Sequence, residues 1–166
     1  MKRILPGAVG ALLIVQFVLA AGTQVDVSKI IDKAEAESIL GEKIKDLTPV
    51  NVEGTDGYYS KCSYYSVTPG KSLVIRVQQH DANAITPYKE LDLIAASGGS
   101  MKLVKDLGDE AQMHTEGGES GAASRVLMLY VVKGNAFLVV GLGGFADDTV
   151  ALEKAETVAK KILEHL

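Results

Sequence analysis

The sequence predicts an α+β domain. A mainly antiparallel sheet of about six strands is packed by helices, in the order α-βββ-α-βββ-α. Three observations predict it. Strand-like runs come in groups separated by helices rather than alternating with them one by one. Arg125 to Val132 and Ala136 to Leu142 are apolar runs joined by Lys133-Gly134-Asn135, the clearest hairpin signal in the chain. From about Asp148 onward, Leu152, Ala155, Ala159, Ile162, Leu163 and Leu166 recur at helical spacing and make one apolar stripe.

Each element has its own local reason. Met1-Lys2-Arg3, the apolar run Ile4 to Ala21 and the small residues Ala20-Ala21-Gly22 have the order of a secretory signal peptide. Residues 1–22 are assigned to it and residues 23–166 to one domain. Cleavage after Gly22 is favoured over a retained anchor, because Pro6, Gly7, Gly10 and Gln16 weaken the run as a membrane span. Asp32 is placed to cap the first helix, with Glu35 three residues on completing a capping box and Gly41 suiting the left-handed position at its end. Lys43 to Val52, Tyr58 to Val67 and Leu73 to Val77 read as strands, separated by the turn residues Gly54 to Gly57 and Thr68-Pro69-Gly70.

Thr86-Pro87 opens a second helix, with Thr as cap and Pro at the first helical position. Its predicted buried stripe is Tyr88, Leu91, Ile94 and Ala95. Met101 to Val104 and Ala111 to His114 are short strand-like pieces around Asp106-Leu107-Gly108-Asp109, and Glu116 to Gly121 is a polar loop. The hairpin runs are apolar on both faces, which predicts central, covered strands. In the last helix Glu156 and Lys160 stand four apart, in the favourable order for an ion pair.

Composition narrows the function classes. The 166 residues are 47% hydrophobic and 23% charged, with 5% aromatics and no Trp, so the core must be aliphatic. The net charge is −4. Without Lys2 and Arg3 of the leader, 15 basic residues face 21 acidic ones. Without a basic cluster to neutralise phosphates, nucleic acid is a poor partner, and anionic lipid is disfavoured on the same ground. The membrane would be reached only through an uncleaved leader.

The motifs are mostly structural in kind. Gly141-Leu142-Gly143-Gly144-Phe145-Ala146 fits the dinucleotide pattern G-x-G-x-x-A, but that fingerprint needs a whole βαβ unit and an acidic residue about 20 positions on, at the end of the next strand. The residues after Ala146 read as helix up to Leu166, so the glycines are assigned to a sharp turn from a central strand, with Asp147 or Asp148 capping. His80, His114 and His165 are scattered, and none has metal-ligand spacing to another His or Cys. No cofactor, no metal site and no catalytic residue is assigned. Cys62, the single cysteine, is a free thiol that reads best as a small buried hydrophobe on the face of Tyr64. Four of the six tyrosines, Tyr58, Tyr59, Tyr64 and Tyr65, share one strand with Ser60, Ser63 and Ser66. That composition suits a ligand or partner surface, since Tyr offers large contact area at low entropic cost.

Four segments occur in order: Ala34-Glu35-Ala36-Glu37-Ser38-Ile39-Leu40-Gly41, Lys61-Cys62-Ser63-Tyr64, Asp106-Leu107-Gly108-Asp109-Glu110-Ala111 and Val132-Lys133-Gly134-Asn135-Ala136-Phe137-Leu138. With them, most of residues 28–166 resembles small exported bacterial proteins and lipoproteins of unknown function. The resemblance implies an α+β domain with an antiparallel sheet, at the cell envelope or outside, and carries over no catalytic residues. The members it resembles most often have a cysteine before the first helix that would pair with that of the second segment. Here Ser28 stands in that place, which leaves Cys62 without that partner. The lipid-attachment cysteine of many members is also absent, so a soluble form is expected.

The expected function is a non-catalytic periplasmic or secreted binding or accessory domain, with an unknown protein or small ligand of the cell envelope as partner. The tyrosine-bearing face, or a pocket between sheet and helices, would hold it. An envelope hydrolase would need a cleft gathering His80 or His114 beside carboxylates. Self-association crosslinked through Cys62 is the remaining alternative.

Overall fold

The computed structural model describes residues 23–97, 99–117 and 125–166. The leader lies outside the described residues, as does most of the 116–121 loop. In chain order the elements are α1 (Val27–Ile30), α2 (Lys33–Leu40), β1 (Val50–Gly54), β2 (Gly57–Tyr65), β3 (Ser72–His80), α3 (Pro87–Ala96), β4 (Lys102–Val104), β5 (Glu110–Glu116), β6 (Val126–Lys133), β7 (Ala136–Gly143) and α4 (Asp148–Leu163). The strands form one antiparallel sheet in the order β1-β2-β3-β7-β6-β5-β4.

Helices and an antiparallel sheet are therefore present as expected, but the strand count is seven rather than six. The order is α-α-βββ-α-ββββ-α. The two short strand-like pieces read before the final hairpin, given one place in the expected order, are separate strands, and α1 was not among the expected helices. Asp106 (φ 57°) and Gly108 (φ 64°) reverse the chain there, so β4 and β5 pair with each other. Lys43 to Val52 is not one strand either. Lys45 N–H donates to the Tyr65 carbonyl and Val67 N–H to the Lys43 carbonyl, which makes a single bridge at Ile44 and Ser66. Pro49, which has no amide to give a ladder, then separates that bridge from β1.

The helix ends form where the capping residues place them. Asp32, Thr86 and Asp147 accept from Glu35 N–H, Lys89 N–H and Thr149 N–H. Gly41 is left-handed at φ 70°. Glu35, however, reaches Lys161 of α4 rather than its own cap. The last carbonyls of α2 receive two lysines, Lys71 Nζ on Leu40 O at 2.9 Å and Lys154 Nζ on Ile39 O at 2.6 Å, with both ammonium groups near the Phe145 ring. Positive charge at a helix C-terminus is stabilising, so these contacts hold α2 against the start of α4.

The two faces of the sheet are covered unequally. On the inner face, Cys62, Tyr64, Ile75, Leu129, Val140 and their neighbours pack under α1, α2 and α4, through Val27, Ala36, Leu40, Ala155 and Ile162. On the outer face only α3 is docked among the described residues, where Leu91 meets Val132, Phe137 and Val139. Burying that one leucine contributes roughly 2 kcal/mol. The stripe expected of α3 is narrower than its periodicity suggested: Ile94 is half-buried, but Tyr88 and Ala95 are exposed. One isolated helix on a sheet touches it along a single line, and no second described helix covers its flanks. Strand β7 lies at the centre of the sheet and is buried along its whole length, as its apolar pattern demands.

Candidate functional site

Strand alternation sends the four tyrosines of β2 to opposite faces. Tyr64 points inward, is completely enclosed, and donates its hydroxyl to the Ile31 carbonyl at 2.5 Å. Burial, followed by its contact with Cys62, pushes its ionisation far above the ordinary tyrosine range. Tyr64 is therefore part of the core and not of a partner surface, which corrects the expectation. Tyr58 is half-buried; its hydroxyl ionises above the usual value because of burial and the charges of Asp26 and Glu53. Cys62 is also fully buried.

Tyr59 and Tyr65 point to the outer face. Tyr59 lies opposite Val52 of β1 and Gln78 of β3, and Tyr65 lies opposite Ser72. Tyr65 is 52% exposed, and Val50, Val52 and Val67 are exposed to a similar degree. All five residues of β1 are exposed, and β1 is an edge strand. The outer face thus carries an apolar and aromatic band that no described element covers.

A second feature lies at the other end of β3. Arg76 and His80 share the outer face, four residues apart, and Glu90 of α3 stands over both. Arg76 Nη2 is 2.9 Å from Glu90 Oε1, and His80 Nε2 is 3.2 Å from Glu90 Oε2. The second contact lacks hydrogen-bond alignment, so both ring nitrogens of His80 are buried without a hydrogen-bond partner among the described residues. The backbone of His80 is held firmly. Its N–H donates to Asn135 O at 2.8 Å, and Asn135 Nδ2 donates to His80 O at 2.9 Å. Beside it opens a cleft of about 450 Å³, lined by His80, Asp81, Ala84, Ile85, Pro87, Tyr88 and Asn135 among others.

The other histidine considered from sequence differs. His114 Nε2 is 3.5 Å from Glu116, whose side chain is largely exposed. Sequence reasoning missed the Arg76–Glu90–His80 array. The one local signal is that positions 76 and 80 share a strand face. Glu90 is joined to them only by the docking of α3.

A scan against protein-family models finds no match to this chain, and a search of curated proteins finds no similar sequence.

Proposed function

We propose that the chain is an exported, non-catalytic binding domain that holds a protein of the cell envelope against its outer sheet face at β1 and β2. The observation that carries this reading is the exposed band of Val50, Val52, Tyr65 and Val67 beside the edge strand β1, which no described strand or helix covers. An edge strand offers unpaired N–H and C=O groups to an extended segment of another chain. Tyr59 and Tyr65 would add contact area with little loss of side-chain freedom. Export rests on the leader, and a periplasmic or extracellular location goes with it.

The test is capture from envelope extract by the immobilised domain, comparing wild type with the triple variant Val52→Ser, Tyr59→Ser, Tyr65→Ser. The reading expects a partner retained by wild type and lost by the variant, with the same unfolding temperature in both. Equal capture by both proteins, or nothing above background, overturns it.

A second reading, an envelope hydrolase, is favoured by one observation: His80 lies beside the Glu90 carboxylate next to an open cleft. An imidazole beside a carboxylate is the acid–base pair of many hydrolytic sites. No nucleophile accompanies it among the described residues, because the Thr86 hydroxyl caps Lys89 N–H and Cys62 is enclosed beneath the inner face. Turnover of peptidoglycan fragments by wild type that is lost in His80→Gln would establish this reading. Equal turnover, or none, would remove it.

A further inference from the structure

We propose that the cleft between the end of β3 and the start of α3 binds a primary ammonium group carried on a small apolar body. The site is distinct from the exposed band of the outer face. The band lies on β1, β2 and Val67, whereas the cleft is lined from the end of β3, the start of α3 and the β6–β7 turn.

The first support is His80 itself. Its residue exposure is 6%, it lines the cleft, and neither ring nitrogen makes a hydrogen bond among the described residues. Buried polar atoms are nearly always satisfied; Nε2 has the Glu90 carboxylate at 3.2 Å, so the atom beside the cavity without a partner among the described residues is Nδ1.

The second support is the balance of donors and acceptors. Glu90 is engaged by Arg76, but Asp81 makes no ion pair among the described residues, so its carboxylate is the unneutralised charge of the lining. Asn135 spends a side-chain N–H on His80 O, and its side-chain Oδ1 accepts no hydrogen bond among the described residues. The unspent side-chain groups are therefore mainly acceptors, which select a donor of several hydrogens.

The third support concerns the sign of the guest. A helix N-terminus ordinarily welcomes anions. At α3, however, Pro87 has no N–H and Thr86 Oγ1 already occupies Lys89 N–H, while Asp81 would repel a carboxylate or phosphate. Tyr88, 45% exposed, is among the residues lining the cleft, and a cation is attracted to an aromatic face. Ala84, Ile85 and Pro87 supply the apolar wall for the carbon stem.

Phenethylamine, 2-phenylethanol and Nα-acetyl-lysine methylamide are titrated into the ¹⁵N-labelled domain, and amide shifts are followed by NMR. The amines should shift residues 80–88 and 134–135, and the alcohol should bind at least about tenfold more weakly, the loss of one partly desolvated charge contact. Tighter binding of phenethylamine marks a free amine as the guest. Tighter binding of the lysine derivative marks a lysine side chain. Either result supports an ammonium site. Asp81→Asn, at an exposed position that leaves the core intact, should weaken the amines about tenfold, and Tyr88→Leu by a smaller factor. The proposal is overturned if millimolar amine produces no localised shifts. It is overturned equally if the alcohol binds as well as the amine, or if Asp81→Asn changes nothing. None of these outcomes bears on the partner surface at β1 and β2.

Discussion

The Asp109 carboxylate accepts the Gly134 N–H at 2.6 Å and so joins two turns that lie 25 residues apart in the chain. One turn reverses the chain between β4 and β5, and the other closes the β6–β7 hairpin. Lys133 Nζ approaches the same carboxylate at 3.2 Å, and Asp109 N–H donates to Val132 O at 2.8 Å. Two of the four short segments singled out in the sequence, Asp106 to Ala111 and Val132 to Leu138, therefore meet at one clamp. Their chemistry is that of a fold device.

The clamp gives a pH dependence. The Gly134 amide, followed by the Lys133 ammonium, holds the Asp109 carboxyl below its ordinary value of 3.8. A carboxyl depressed on folding adds stability that is complete above the unfolded value and is lost as pH falls through the folded one. Asp109→Ala should cost about 1 kcal/mol at pH 7, a figure discounted because solvent screens the partly exposed side chain. The gap between wild type and Asp109→Asn, followed by urea unfolding from pH 7 to pH 2, should begin to close below about pH 4. A gap independent of pH would contradict the charge-assisted part of the clamp.

Gly108 is the tightest position in that turn. Its φ is 64°, and a Cβ would lie 2.5 Å from both Val131 Cγ1 and Val132 O. Gly108→Ala combines left-handed strain with overlap of backbone atoms, so it should cost about 2 kcal/mol or more. Thermal unfolding measures it. Gly134→Ala, left-handed at φ 57° but with no atom near the added methyl, should cost only about 1 kcal/mol.

Tyr64 ties β2 to the residue that leads into α2. Tyr64→Phe removes the hydroxyl that satisfies Ile31 O and leaves a buried carbonyl without that partner, so a loss of about 1–2 kcal/mol is expected. Tyr65→Phe, on the exposed face, should be nearly silent. Equal effects in chemical denaturation would refute the assignment of the two side chains to core and surface.

Cys62 has no exposed surface. Ellman's reagent should react with it only at the rate of unfolding, and non-reducing gels of the native protein should contain no crosslinked dimer. Rapid labelling of the folded domain would restore self-association through this thiol as a reading.

Wherever the cause was local, the fold was legible from residues alone. Asp32, Thr86-Pro87 and the pair Asp147-Asp148 marked helix starts because a cap acts within three residues, and the structure places the last cap at Asp147. The Lys133-Gly134-Asn135 hairpin was legible because its turn and its two apolar runs adjoin, and β6 and β7 pair as read. The 3.2 Å Glu156–Lys160 pair came from helical spacing alone. The tyrosine strand was read as one surface, yet a strand alternates. Which of Tyr64 and Tyr65 faces the core depends on where three helices dock.

The sequence by itself determined the three longer helices, the hairpin and the separation of apolar from polar residues, because periodicity and capping are properties of neighbouring residues; the four-residue α1 is too short to show a period and was not read. Only the tertiary structure decided the strand order, the placing of three helices on one face and one on the other, and hence the exposed band and the meeting of Arg76, His80 and Glu90. Those depend on contacts between distant segments, where many pairings satisfy the same local pattern. The burial of the whole chain selects among them.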